Sequence, residues 1–136
     1  MRVYLAGPMT GIPQFNFPAF DAAEADLRAR GYDVVPPADL HDPLVREQAL
    51  ASEDGALNSV SACTWGDALA LDVKMIADDG IEGIVCMEGW ERSRGARLEC
   101  FVAQLCGLPI YRYGANDPLL PIDPRTLAQV FGKVAK

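Results

Sequence analysis

Apolar and polar positions follow two rhythms along this chain, and the rhythm changes at glycine and proline. Arg2–Ala6 (RVYLA) is short, β-branched and aromatic, and it stops at Gly7-Pro8. That pattern predicts a buried strand followed by a sharp turn. Gly11–Pro18 (GIPQFNFP) is rich in breakers and predicts a loop. Over Ala19–Arg30, Phe20, Ala23 and Leu27 recur along one stripe, which predicts an amphipathic helix ended by Gly31. Tyr32–Val35 predicts a second short strand, broken by Pro36-Pro37.

The alternation resumes further on. A helix is predicted over Asp67–Asp79 and a strand over Ile81–Met87. A helix over Ser93–Cys106, a strand over Pro109–Tyr113 and a last helix over Pro124–Val134 follow. Between Ala38 and Trp65 only Pro43–Leu50 has a helical pattern. The rest predicts a long variable loop at about residues 40–65, functional or mobile. Strands alternating with helices imply one α/β domain over residues 1–136. It should be Rossmann-like (flavodoxin-like), with a mostly parallel sheet of about four to five strands flanked by helices. Ligands bind such sheets at the carboxyl ends of the strands, so chemistry is expected at Gly7–Phe17, Pro36–Asp39 and Glu88–Ser93.

Composition narrows the partners. The 136 residues carry a net charge of −7, which argues against binding a nucleic acid polymer through its phosphates. A small anionic ligand needs only a local positive spot. No apolar run approaches the ~20 residues of a membrane span, and no leader segment is expected. The four cysteines, Cys63, Cys86, Cys100 and Cys106, form no CxxC pair and are joined by a single histidine, His41. Reduced, buried thiols in a cytoplasmic protein are expected, with no metal site and no cofactor.

Two carboxylates fall on apolar helix faces. On a wheel of ~100° per residue, Arg94, Arg97 and Gln104 share one side of the fourth helix. Gly95, Glu99, Val102, Ala103 and Cys106 share the other. A carboxylate there is costly unless something needs it. Glu99 has small neighbours and lies near the helix N-terminus, which favours its ionised form. An ionised, partly desolvated carboxylate suits attack on a sugar carbon; a salt bridge to a buried Arg is the alternative. On the preceding helix Asp67, Lys74 and Asp78 share one side, while Asp72 lies with Leu69 and Ile76 on the other. Paired carboxylates in one cleft serve glycosidic chemistry; alone, Asp72 is a structural hydrogen-bond acceptor.

Other positions carry two readings each. Ser93 is a helix cap, or with Arg92 and Arg94 an anion site at the helix start. Gly95 lets a ligand approach the backbone. Gly7 and Pro8 make a turn, or open the cleft floor. Phe15 and Trp90 stack on a base, or simply pack.

Together YLAGPMTGIPQFNFPAF (Tyr4–Phe20), YDVVPPADL (Tyr32–Leu40), the Asp72 helix and GWERSRGARLE (Gly89–Glu99) resemble the nucleoside 2-deoxyribosyltransferase-like superfamily. Within it the chain is especially similar to the domain family DUF4406. The resemblance implies that Glu99, six residues after Ser93, attacks the anomeric carbon of a nucleotide or nucleoside. It implies that Asp72 positions the sugar or moves a proton, and that Gly7 and Pro8 line the site. Deoxyribosyltransferases of this kind tend to carry Asp at the Ser93 position, and nucleoside-monophosphate hydrolases tend to carry Ser. A carboxylate there repels a phosphate. The expectation is therefore an N-glycosidase acting on a nucleoside 5′-monophosphate. A base-exchanging (deoxy)ribosyltransferase and a non-catalytic nucleotide-binding module are the alternatives. The resemblance also implies a homo-oligomer, dimer or tetramer. Asp42–Cys63 has no clear counterpart in the resemblance.

Overall fold

A computed structural model describes residues 1–57, 60 and 64–134. Five strands, β1 (Arg2–Ala6), β2 (Asp33–Val35), β3 (Gly83–Cys86), β4 (Ile110–Gly114) and β5 (Asp117–Pro121), form one sheet in the order β2-β1-β3-β4-β5. The first four run parallel, and β5 returns antiparallel to β4. The helices are α1 (Phe17–Ala29), α2 (Pro43–Leu50), α3 (Trp65–Asp78), α4 (Arg94–Leu105) and α5 (Pro124–Val134). This is the mostly parallel, helix-flanked sheet that the alternation predicts.

Strand β5 has no counterpart among the predicted elements. Its sequence, DPLLP, holds two prolines, which read as breakers. At the sheet edge a strand needs partners on one side only, so the missing N–H groups are tolerated. The Arg30 guanidinium fastens the β4–β5 turn, donating to the carbonyls of Gly114, Ala115 and Asp117 at 2.6–2.8 Å.

Strand parity sorts the core into two layers. Val3 and Leu5 of β1 pack with Val85 of β3 and with Phe20, Ala23 and Leu27 of α1. Tyr4 and Ala6 point the other way, into a cluster with Ile84, Cys86, Ile76, Ala96, Cys100 and Ala103. Tyr4 thus shares a layer with α3 and α4, the two helices that carry the inward carboxylates.

The cysteines depart in part from expectation. Cys86 and Cys100 are buried, their sulfurs 3.1 Å apart. Cys106 is exposed, because α4 ends at Leu105 and the next residue leaves the buried stripe. Cys63 lies outside the described residues.

The predicted long loop is folded over much of its length. Asp42 caps α2, its Oδ1 accepting from the N–H groups of Leu44 and Val45 at 3.1 Å. Beyond α2 the chain is clipped to the loop after β1. Gly11 N–H donates to Gly55 O and Gln14 N–H to Ser52 O, each at 2.8 Å. No helix among the described residues is long and apolar enough to cross a membrane.

Candidate active site

Strand β1, α3 and α4 bring three ionisable side chains together beneath one cavity. Glu99, in the second turn of α4, is 5% exposed. The Tyr4 hydroxyl donates a short hydrogen bond to its Oε2. Asp72 of α3 is 8% exposed, and its Oδ1 accepts from the Ala38 N–H at 2.9 Å. The structural-acceptor reading of Asp72 therefore holds, and its carboxyl also meets Glu99.

Burial is the main electrostatic fact here. It pushes the Asp72 carboxyl up from its ordinary 3.8 to about 6, against the pull of the Ala38 N–H. Burial also pushes Glu99 well above the usual carboxylate range. The Asp72 charge adds to this, and the Tyr4 hydrogen bond opposes it. Two carboxylates this close in a dry site resist losing both protons, so they titrate as a pair. Burial raises the Tyr4 phenol well above 10, which keeps it a donor.

Above these groups lies a cavity of about 590 Å³. Glu99 and Asp72 form part of its floor. Gly7 lines it where β1 ends; a Cβ there would lie 3.0 Å from that of Met87 and 3.2 Å from Phe20 Cζ, so only glycine fits without displacement. Arg92, Ser93, Arg94 and Gly95 line it at the start of α4. Ser93 is the helix cap as well, its Oγ accepting from Ala96 N–H at 3.2 Å. A Cβ added to Gly95 would meet nothing within 4 Å, so space adjoins the helix start.

Phe15 lines the cavity from an unusual backbone. Gln14, Phe15 and Asn16 have φ of 58°, 50° and 61°, three consecutive left-handed residues that are not glycine. Such a conformation costs roughly 1–2 kcal/mol per residue. It is held by the Gln14 N–H bond to Ser52 and by Asn16 Nδ2 donating to Pro8 O at 3.0 Å.

Two expectations need correction. Trp90 does not stack in the cavity. It is 1% exposed and sits in the core layer of Tyr4, Cys86 and Ala96. Its backbone N–H donates to Met87 O at 3.2 Å, and this tight turn carries the indole beneath α4. Pro8 borders a neighbouring cavity of about 780 Å³, with Asn16, Glu88 and Gly89, and not the one above Glu99. Thr10, Arg92 and Ser93 border both.

Several residues of the site have no part in the sequence expectation. Tyr4, wholly buried beneath the cavity, is the central one; its signal is a polar-tipped side chain among apolar buried strand neighbours. Thr64 and Trp65 line the cavity, and so does Asp39, at the end of the expected Pro36–Asp39 segment. Arg94, placed by the wheel on the solvent side, has its guanidinium carbon 4.8 Å from the centre of the Trp65 ring. Among the described residues no group of three or more His, Cys, Asp or Glu is placed to hold a metal ion.

A family model described as a domain of unknown function, DUF4406, matches residues 1–112. The chain belongs to the DUF4406 family. The match covers β1 through most of β4 and includes every candidate site residue of this cavity. No curated protein and no solved structure matches the chain.

Proposed function

We propose that this DUF4406 protein hydrolyses the base–sugar bond of a nucleoside 5′-monophosphate through a glycosyl-Glu99 intermediate. The observation that carries the reading is the buried Tyr4–Glu99–Asp72 cluster opening on a cavity whose rim holds Ser93, Arg92 and Arg94. The likeness to the nucleoside 2-deoxyribosyltransferase-like superfamily supports the same chemistry.

Glu99 and Asp72 share the work of one proton. As positive charge develops on the sugar, the negative charge settles on Glu99 and the proton on Asp72. The Tyr4 hydrogen bond favours that distribution. A Glu99 oxygen bonds to the anomeric carbon while the carbon–nitrogen bond breaks. The bonding pair leaves with the base nitrogen, and Asp72 supplies the proton that neutralises it. Water then attacks the anomeric carbon, gives its proton to Asp72 and releases Glu99 as carboxylate. A proton affinity near 6 for Asp72 suits both steps at neutral pH.

The phosphate belongs at the start of α4. Ser93 Oγ takes the Ala96 N–H, and the N–H groups of Arg94 and Gly95 ahead of it are the ones that would face an anion. Arg92 and Arg94 add positive charge, and Ser93 brings none of the repulsion that a carboxylate would.

The test is incubation with nucleoside monophosphates and their unphosphorylated forms, following free base by chromatography. Base should be released from the phosphates and not from Glu99→Gln protein. Hydrolysis at the wild-type rate in Glu99→Gln removes the nucleophile assignment. Exchange with an added free base would turn the hydrolase into a transferase. Binding without any release, indifferent to Glu99→Gln, would leave a nucleotide-binding module.

A further inference from the structure

Helices α3 and α4 pack along one another and touch the cavity at two levels. At the inner level Asp72 meets Glu99. At the outer level Trp65, the first residue of α3, meets Arg94, the first residue of α4. Asp72 is seven residues in from Trp65, and Glu99 is five in from Arg94. At ~1.5 Å of rise per residue the levels lie roughly 10 Å apart along α3 and roughly 8 Å along α4.

That spacing sets Trp65 beside Arg94, at the start of α4 where the phosphate is placed, and a level away from the anomeric carbon at Glu99. A base bonded to the anomeric carbon has its ring centre only two or three covalent bonds away from it. With that carbon at Glu99, the outer level lies beyond the sugar, on the phosphate side. The Trp65 indole is 39% exposed there, and the Arg94 guanidinium lies over its ring.

We infer that the Trp65–Arg94 pair forms a second subsite, for an aromatic ring joined to the nucleotide through its phosphate, so that the substrate is a pyrophosphate-linked dinucleotide. The inference rests on the proposed glycosidase reading and names its substrate class. The stacked guanidinium holds the ring's place. An exposed cation–π contact is weak. A base stacked on the indole is stronger, and a guanidinium on phosphate makes two charge-assisted hydrogen bonds. The incoming ring therefore displaces Arg94 from Trp65, and the freed side chain turns to the pyrophosphate. Thr64 and Ser93, the caps of the two helices, flank the same opening.

The experiment compares kcat/KM for a nucleoside monophosphate with that for the 5′–5′ pyrophosphate-linked dinucleotide carrying the same scissile base. Wild-type protein should prefer the dinucleotide by about tenfold, the size of one stacking contact. Trp65→Ala should erase that preference, and Trp65→Phe should retain most of it. Equal kcat/KM for the two substrates in wild type, or a preference untouched by Trp65→Ala, overturns the subsite. If neither compound is cleaved, the glycosidase reading fails and the subsite is judged by binding. Only Trp65 and Trp90 fluoresce as tryptophan, and Trp90 is buried. Titration of Glu99→Gln protein should then change the emission of Trp65 at lower concentrations of dinucleotide than of monophosphate. Trp65→Phe should abolish that change. Equal affinities by this measure overturn the subsite independently of catalysis.

Discussion

The phenol of Tyr4, wholly buried, donates its hydrogen to Glu99, whose carboxyl forms part of the cavity floor. Each residue needs the other. A buried carboxylate without a donor is costly, and a buried phenol without an acceptor is too. Strand parity puts Tyr4 in the layer of α4, and helix periodicity turns Glu99 toward it.

Tyr4→Phe tests this relationship. The ring still fills its place, but Glu99 loses a donor. A buried acceptor left unsatisfied costs roughly 1–3 kcal/mol. If that cost is felt by the ionised nucleophile, the rate falls by on the order of 10- to 100-fold. The sign of the pH effect follows. The hydrogen bond lowers Glu99's proton affinity, so its loss raises it further. The rise of kcat/KM with pH should therefore shift to higher pH in the variant. An unshifted profile would show that Tyr4 does not govern Glu99.

A second prediction concerns stability and pH. Asp72 is pushed up from 3.8 to about 6 on folding, chiefly by burial. A carboxyl with a raised folded value binds more protons in the native state than in the unfolded one. Stability therefore falls as pH rises from about 4 to 6 and stays low above. The penalty at neutral pH is roughly 3 kcal/mol. Asp72→Asn keeps an oxygen for the Ala38 N–H and removes the charge. In urea denaturation the variant should gain on wild type as pH is raised from 4 to 7. Parallel curves for the two proteins would refute the assignment.

How far the sequence reveals this molecule depends on the kind of information involved. The inward tilt of Glu99 and Asp72 is a property of single helices, so a wheel suffices to find it. The role of Tyr4 is not local. Alternation along β1 tells which residues share a face but not which helix covers that face. Trp65 begins its helix beside a segment without periodicity, so nothing local marks it as a cavity wall. Trp90 stands in the most motif-rich stretch of the chain, yet a tight turn sends it into the core. Strand β5 escapes notice because its prolines are breakers everywhere except at a sheet edge.

The clip between residues 52–55 and the loop after β1 depends on one close approach. Gly55 has φ of +68°, and a Cβ there would lie 2.1 Å from the Ile12 carbonyl oxygen. That oxygen is backbone and cannot swing aside. Gly55→Ala must therefore separate residues 52–55 from the loop after β1 and break the Gly11 and Gln14 hydrogen bonds to it. The cost should be at least about 2 kcal/mol. The strained turn at Gln14–Asn16 should relax with it, since Ser52 no longer holds Gln14. Faster proteolysis within residues 42–57 and a lower melting temperature are expected. An alanine tolerated without either change would mean that the two loops are not clipped together.

Trp90 supplies the sharpest contrast between the two indoles. It fills core space in the layer of Cys86 and Ala96 and lines neither of the two cavities described above. Its Nε1 has no hydrogen-bond partner among the described residues, so the ring contributes through packing alone. Trp90→Phe removes part of a large ring without stranding a polar partner. Trp90→Ala leaves a cavity and should cost roughly 3–5 kcal/mol. Because the residue touches no substrate, Trp90→Phe should lower the urea midpoint while leaving KM within about twofold of wild type, as expected of a change that removes no binding contact. Trp65→Ala should do the reverse: it should leave the midpoint nearly unchanged, since the indole is exposed, and alter the kinetics of the dinucleotide. A KM that rises with Trp90→Phe at unchanged stability would return Trp90 to the binding site and displace it from the core role its burial implies.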